Sequence, residues 1–440
     1  MQVDTADGKP GGKKNEFQPS KIQFAYFSMI LAWAGNVLFF FATSPPDLIM
    51  KGDGSLRLSD FVGYYEAAKL GFAGGDLYGL TSQLAVLNQI VAPAHTDIAF
   101  SVPYPPTFYL LIAPLSLLSL SNAYSVWIFS SMILGLLGSA ALVWAQKRFS
   151  KIDRLAVMVA LIANTPALMA FRSGQYSFFG LSLVSLYCWS FFEKRHLLTG
   201  VLLGLTGVTK PHYALFLVIP ILVLRQWKVF ATAIPIASAL FAWSLIRYGM
   251  HSVPDYVHYV SQVYLSPHFT GISPEEQVNI RALVMYDILH LPTTELVLTF
   301  GTVSMIVGLI LSVWLWVKSA KMPELHNWVM AVTIAIALFL GPHLHIHDCL
   351  LLAVAAILTI PSVSPALVMK EKDPAYRVWC MTMLLYPLVS FITFNLSIFG
   401  TQIRTFPVLL QNLILVIAGT LYIVRRWKQP QAVSQAPETV

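Results

Sequence analysis

The densest group of ionisable side chains in this 440-residue sequence lies between Gly341 and Asp348, in the order Gly-Pro-His-Leu-His-Ile-His-Asp. In an extended chain alternate residues point the same way, so His343, His345 and His347 would face one side. Histidine and carboxylate are suitable zinc ligands. The spacing matches no established closed zinc site, however, and we predict no metal. The pattern favours hydrogen bonding of these side chains to a phosphate or a sugar.

Two cations occur in short polar turns between apolar segments. Arg172 and Gln175 share one turn, and a charge so close to hydrocarbon needs a partner. Lys210 precedes Pro211, which suits the first position of a helix, and His212 follows. An anion at that helix N-terminus would satisfy the lysine. The alternative for both cations is that the side chain extends to the lipid headgroups.

A carboxylate opens a predicted helix in the first long polar region. Residues 58–73 have a helical pattern, with Ser59 as the candidate N-cap and Asp60 directly after it. The helix dipole and the free amides stabilise the charged form of a carboxylate at this position, which would let Asp60 accept a proton. Simple capping without a catalytic role is the other interpretation.

The composition indicates that most of these residues lie in a membrane. Hydrophobic residues make up 56% of the chain and charged residues 11%, with a mean hydropathy of +0.67, whereas soluble domains are about one quarter charged. The net charge of +7 arises from short basic clusters between apolar runs, so it indicates topology and no nucleic-acid partner. Cys188, Cys349 and Cys380 show no pairing pattern, and we predict no disulfide.

The apolar runs predict an all-α, polytopic transmembrane bundle of about twelve spans in one domain over residues 23–426. Cytosolic tails are expected at 1–22 and 427–440, and outer loops at 44–121 and 249–294, the first of them with interfacial helices. We read no cleaved signal peptide, and expect the first span to act as an anchor. The predicted spans are 23–43, 122–146, 153–171, 177–192, 197–210, 211–225, 229–248, 295–317, 327–344, 348–362, 376–398 and 406–425.

Whether the apolar segment 105–120 crosses the membrane determines which side every later loop faces. It has only about 16 residues and contains three prolines, whereas a span needs about 20 residues. If it crossed, the basic cluster at 147–154 would face outward, against the positive-inside rule. We therefore predict a re-entrant or interfacial segment. Twenty of the 28 Lys and Arg residues and both termini then face the cytosol, and all the candidate site residues face outward.

Five stretches in order resemble glycosyltransferase family 87, the polyprenol-phosphate-mannose-dependent mannosyltransferases of the C-type glycosyltransferase superfamily. They are DFVGYYEAAKLGFAGGDLY (60–78), YPPTFYLLIAPL (104–115), SGQYSFFGLSLV (173–184), GVLLGLTGVTKPHYAL (200–215) and GPHLHIHDCLLL (341–352). The resemblance covers about residues 24–425. It implies a C-type fold, and an enzyme that passes a sugar from a lipid-phosphate carrier to an acceptor hydroxyl at the outer leaflet, without a cofactor.

The resemblance also assigns roles to residues. Asp60 matches the family's acidic general base, Gly174 and Gln175 its glycine-glutamine turn, and Lys210 its lysine-proline pair. In the late motif, His347 and Cys349 replace tyrosine and leucine. We expect the donor to be bound by Arg172, Gln175, Lys210, His343, His345 and Asp348. Arg172, Lys210 and His345 would stabilise the leaving phosphate.

The aromatic residues have two interpretations. Tyr64, Tyr104 and Tyr176, together with His212, would line the groove for the sugar and the lipid. Anchoring at the membrane interface is the alternative for the tyrosines.

Other functions remain open at this stage. The main rival is a transporter or flippase for a lipid-linked glycan. Such proteins usually have charged residues near the bilayer midplane and two repeated halves, and this sequence shows neither pattern. The third is a non-catalytic partner in envelope polysaccharide synthesis. As an enzyme, the protein would be a hexosyltransferase in the bacterial inner membrane with an extracytoplasmic site and a lipid or glycan acceptor.

Overall fold

A computed structural model describes residues 59–93, 95, 103–265, 277–289, 295–342, 344–361, 368, 372–398 and 406–428. These ranges are helical and contain no β-strand; one isolated bridge joins Gln277 to His345. The predicted tail at 1–22, the predicted first span at 23–43 and His343 lie outside the described residues, as does the predicted tail at 427–440 except for Trp427 and Lys428, which end the last helix. The expected all-helical class is thus observed wherever the structure describes the chain.

We number the described α-helices in chain order. They are α1 Asp60–Phe72, α2 Leu80–Val91, α3 Pro106–Ile112, α4 Leu120–Ala145, α5 Lys151–Ile162, α6 Thr165–Ser173, α7 Ser177–Phe192, α8 His196–Thr209, α9 Pro211–Val223, α10 Phe230–Tyr248, α11 Ser252–Leu265, α12 Ile280–Ala282, α13 Glu295–Ser319, α14 His326–Phe339, α15 Leu352–Thr359, α16 Pro374–Ile398 and α17 Phe406–Lys428. Short 3₁₀ or π turns occupy Ala113–Leu117, Trp227–Val229, Leu283–Ile288, Pro323–Leu325 and Ile346–Leu351.

Among the described residues, five helices are long and apolar enough to cross a bilayer, and α5 with α6 forms a pair bent by 45° that could make a sixth span. The five are Leu120–Ala145, Trp227–Tyr248, Thr299–Ser319, Pro374–Thr393 and Phe406–Lys428. Several of the other predicted spans correspond to apolar helices of 10 to 17 residues. These helices indicate a multi-pass membrane protein, with five or six such spans in the part of the chain that the structure describes, and the total of twelve stays a prediction.

The shorter helices end where the sequence interrupts the helical hydrogen bonding. Asn164 separates α5 from α6, because its side-chain oxygen caps the amide of Ala167 at 2.8 Å. Lys210 separates α8 from α9, and Pro211 then occupies the first position of α9. Both breaks bring polar side chains to the ends of apolar helices.

The segment 105–120 forms α3 and the following 3₁₀ turn, which together span Pro106–Leu117. Twelve helical residues reach only about 18 Å, compared with a hydrocarbon thickness of about 30 Å. The segment packs against α1, α8 and α10. This length and burial against protein favour the prediction that it does not cross the bilayer.

Small residues allow close helix packing between α4 and α7. A Cβ atom on Gly138 would lie 3.0 Å from the Cα atom of Ser182. The hydroxyls of Ser139 and Ser185 are 3.2 Å apart across the same interface. Close backbone approach and interhelical hydrogen bonds are typical of transmembrane helix pairs. This contact holds α7, and with it the turn before α7, in a fixed position.

Candidate active site

The start of α1 is attached to the turn between α6 and α7. Asp60 is the first residue of α1 and is half-buried. Its Oδ2 atom accepts a hydrogen bond from the Nε2 atom of Gln175. Ser59 occupies the N-cap position as predicted, but its hydroxyl donates to the carbonyl oxygen of Ser173 at 2.9 Å and makes no side-chain cap. The carboxylate of Asp60 is consequently held by an amide from a different segment.

The turn that carries Gln175 requires a glycine. Gly174 ends α6 with a φ of 61°, a conformation that favours glycine. A Cβ atom there would lie 2.6 Å from the Cβ atom of Phe61 and 2.9 Å from the ring of Tyr124. The indole of Trp127 donates to the carbonyl of Gly174 at 2.8 Å. The turn is thus packed directly on α1 and α4.

We expect Gly174→Ala to reduce both stability and transfer activity, because the new methyl group adds left-handed strain to a contact with no room. The loss of stability should be about 1–3 kcal/mol, the usual cost of overpacking. Thermal unfolding of the purified protein measures it. Gly207→Ala is the matched control, since its added Cβ would meet only Ala214, at 3.7 Å. A Gly174→Ala protein as stable as this control would contradict the close packing.

Two tyrosine hydroxyl groups extend the hydrogen-bonded contacts of Gln175 towards the interior of the protein. Tyr64 lies one helical turn after Asp60, on the same side of α1, and donates to the Oε1 atom of Gln175 at 2.8 Å. The hydroxyl oxygens of Tyr64 and Tyr104 are 3.4 Å apart. Both rings are buried, and burial raises the pKa of each phenol well above its ordinary value. Both hydroxyls therefore stay neutral at physiological pH.

A buried ion pair lies on the other side of these tyrosines. The Nζ atom of Lys210 is 2.6 Å from the Oδ1 atom of Asp348, and both side chains are buried. The ammonium also lies 5.8, 5.4 and 5.0 Å from the ring centroids of Tyr104, Tyr176 and Tyr213. Aromatic faces attract a cation at such distances. Lys210 is thus held in place by one carboxylate and three rings.

Residues 345–348, which we call the histidine turn, are not extended throughout, as the alternation of histidines along the sequence would require. His345 is extended, with φ −101° and ψ 167°, but a 3₁₀ helix begins at Ile346. The backbone amide of His345 donates to the Oδ2 atom of Asp348 at 3.4 Å, and His347 Nε2 lies 3.6 Å from the same oxygen. The rings of His345 and His347 are 5.3 Å apart and nearly parallel. The turn therefore encloses Asp348, which the extended arrangement would not do.

The structure brings most of the predicted residues into one connected site. Asp60, Gln175, Tyr64, Tyr104, Tyr176, Lys210, His345 and Asp348 are linked by the contacts above. Arg172 is not part of this set of contacts, because its side chain is exposed and no ion pair joins it to the described residues. The ring of His212 contacts Tyr213 with centroids 4.5 Å apart, and its Nε2 atom is buried without a hydrogen bond to any described residue.

Sequence reasoning missed a buried acid close to this site. Glu66 lies on α1 and is fully buried, and neither carboxyl oxygen is hydrogen-bonded within the part of the chain that the structure describes. Burial raises the pKa of this carboxyl well above its usual value, which favours the neutral acid. The available signal was an acidic residue flanked by aromatic and apolar residues, Tyr64 and Tyr65 before it and Ala67 and Ala68 after it.

A comparison with known protein families shows to which family this chain belongs. The sequence model of glycosyltransferase family 87 matches residues 102–342, more than half of the chain. The chain belongs to glycosyltransferase family 87. The resemblance recognised in the sequence is thereby confirmed, and this family 87 protein is a membrane glycosyltransferase. The matched range includes Tyr104, Gln175 and Lys210, whereas Asp60 and Asp348 lie outside it. A comparison with curated protein sequences found no match.

Proposed function

We propose that this glycosyltransferase transfers a hexosyl unit, with mannose as the expected sugar, from a polyprenyl-phosphate carrier to an acceptor hydroxyl on the outer face. The observation that carries the proposal is the connection between an accessible carboxylate and a buried cation. Asp60 is joined to Gln175 and Tyr64, and Tyr104 continues from Tyr64 to the ring cluster around Lys210. A base and a cation at opposite ends of one site are what sugar transfer from a phosphate requires.

In the proposed reaction, the acceptor oxygen forms a bond to the anomeric carbon of the donor sugar. The bond between that carbon and the phosphate oxygen breaks, and its electron pair stays on the phosphate. The acceptor proton moves to the carboxylate of Asp60. The products are the glycosylated acceptor and a lipid phosphate with one more negative charge. A single displacement of this kind inverts the configuration at the anomeric carbon.

The exposure of the two carboxylates supports this assignment. Asp60 is half-buried and can contact a substrate, whereas Asp348 is 1% exposed and paired with Lys210. Asp60 is therefore the better candidate for the base. Asp348 would orient Lys210 and, through the amide of His345, the histidine turn. Lys210, His345 and Arg172 are the proposed cationic and hydrogen-bonding partners of the leaving phosphate, and His343 and Gln175 further donor contacts.

We further propose that the protein lies in a bacterial inner membrane with twelve spans, both termini in the cytosol and its site on the extracytoplasmic side. The basic clusters at 147–154 and 425–428 support this orientation through the positive-inside rule. Tyr64, Tyr104, Tyr176 and His212 would line the groove for sugar and lipid. The tyrosines are buried, which favours a wall of the site over anchoring at the membrane surface.

A transfer assay tests the function. Purified protein is incubated with polyprenyl-phosphate-mannose and a set of lipid and glycan acceptors, and the release of lipid phosphate is measured. We expect release that depends on both the protein and the acceptor. Turnover with a nucleotide-sugar donor and none with the lipid-linked donor would contradict the proposal. Movement of intact lipid-linked sugar between leaflets, without release, would support the transporter alternative.

A further inference from the structure

Two neighbouring side chains in the first turn of α9 carry polar atoms to which the proposed mechanism gives no bond. The hydroxyl of Tyr213 and the Nε2 atom of His212 are both buried, and neither makes a hydrogen bond to a described residue. Tyr213 as a whole is 4% exposed. Buried polar groups in native proteins nearly always have a hydrogen-bond partner, so each exception needs an explanation. A ligand that supplies the partner is one such explanation.

The start of α9 brings both groups to the ion pair of the site. Lys210 directly precedes Pro211, the first residue of α9, and the amide of Tyr213 donates to the carbonyl of Lys210 at 3.0 Å. The Nζ atom of Lys210 lies 5.0 Å from the centroid of the Tyr213 ring. The ring of His212 contacts that of Tyr213, with centroids 4.5 Å apart. Both side chains are close enough to Asp348 to interact with its charge.

The ion pair alone does not account for these two groups. The Oδ1 atom of Asp348 accepts from Lys210 at 2.6 Å, and its Oδ2 atom accepts from the amide of His345 at 3.4 Å. Tyr213 interacts electrostatically with this carboxylate, yet its hydroxyl meets the geometry of a hydrogen bond with no described residue. The hydroxyl is therefore placed beside the pair with a proton that a ligand can accept.

A phosphate is the ligand that suits this arrangement. The first amides of an α-helix have no intrahelical acceptor, and its N-terminus attracts anions. Pro211 has no amide proton, so side chains must complete the contacts at the start of α9. A tyrosine hydroxyl and an imidazole with its proton on Nε2 are neutral donors. They would stabilise a phosphate without a further buried charge, while Lys210 supplies the positive charge.

We propose that the Tyr213 hydroxyl and the His212 Nε2 atom donate hydrogen bonds to the phosphate of the lipid-linked donor, beside Lys210. This inference rests on the proposed function and adds two contacts to the leaving phosphate. The bond changes of the transfer are those given above, and both residues keep their protons. Both hydrogen bonds strengthen as the sugar leaves, because the phosphate then gains negative charge.

Binding of farnesyl phosphate and of farnesol to the purified full-length protein tests the inference, since only the first probe has a phosphate. We expect Tyr213→Phe to weaken farnesyl phosphate binding by about 10- to 100-fold, the range for a lost hydrogen bond to a charged group. Farnesol binding should not change. Thermal stability should not fall either, because the ring stays and the lost hydroxyl has no hydrogen bond to a described residue.

Two variants of His212 test the second contact. His212→Leu removes the ring nitrogens and should also weaken farnesyl phosphate binding. His212→Gln keeps a side-chain donor and should retain part of the binding. If Tyr213→Phe fails to fold, these two variants decide: equal farnesyl phosphate binding by the leucine variant and the wild type would then overturn the inference.

Tyr248→Phe is the matched control. The hydroxyl of Tyr248 is also buried without a hydrogen bond to a described residue, but this residue ends α10 and packs against Gly71. Its binding of both probes should equal that of the wild type. Unchanged farnesyl phosphate binding in folded Tyr213→Phe would overturn the inference, whether or not stability falls, and would leave the proposed function intact. A wild-type protein that binds farnesyl phosphate no better than farnesol and transfers no sugar would overturn both.

Discussion

Asp60→Asn should lower kcat for sugar transfer by roughly 100- to 10,000-fold, the range expected when a general base is lost. Asparagine keeps an oxygen that can accept from Gln175, so the contact that holds the start of α1 is retained. It cannot take the acceptor proton. The KM for the donor should therefore change little while kcat falls. Initial rates of lipid-phosphate release over a range of donor concentrations separate the two effects.

Asp76→Asn is the matched control for this variant. Asp76 lies in the turn after α1, is exposed, and accepts the amide of Tyr78 at 2.9 Å, a bond that asparagine can keep. It removes the same charge from the same loop without touching Gln175. Full activity is expected. If the Asp60 variant also turned over at the wild-type rate, Asp60 would not be the base.

Lys210→Met should be the most destabilising change in the site. It leaves the carboxylate of Asp348 buried without the cation that lies 2.6 Å away. Removing one partner of a buried pair typically costs about 3–5 kcal/mol. We expect a corresponding loss in the free energy of unfolding of the purified protein, and loss of transfer. Asp348→Leu should be destabilising for the converse reason.

The double variant Lys210→Met/Asp348→Leu separates stability from chemistry. With neither charge present, its stability should exceed that of each single variant. It should nevertheless remain inactive, because the cation for the leaving phosphate is absent. Additive destabilisation in the double variant would show that the two charges do not compensate each other. Recovered activity would exclude Lys210 from the phosphate site.

Local features of the fold were predictable because they depend on neighbouring residues. The helix expected over 58–73 is observed at Asp60–Phe72, and Pro211 begins a helix as its ring geometry favours. The turn at Gly174 was also expected from its residue types. The spans predicted at 122–146, 229–248, 295–317, 376–398 and 406–425 match observed helices within a few residues. The run at 153–171 is instead divided into two helices, because Asn164 caps the second of them within the apolar stretch.

The contacts that build the site could not be predicted in this way. Lys210 and Asp348 are 138 residues apart, and no local pattern specifies their pairing. Arg172 and Arg281 show the same limit. Arg172 was the stronger candidate because its turn is short, yet its side chain is exposed, whereas Arg281 in a long loop is buried. The direction of a side chain depends on tertiary packing, which the segment alone does not contain.

The most direct test is a structure of the protein with a lipid phosphate bound. We predict the phosphate within hydrogen-bonding distance of Lys210 and His345, and the Asp60 carboxylate facing the space where the sugar and the acceptor hydroxyl would meet. A phosphate bound elsewhere, away from the Lys210–Asp348 pair, or an Asp60 closed off from the ligand by Gln175 and Tyr64, would contradict the proposed site.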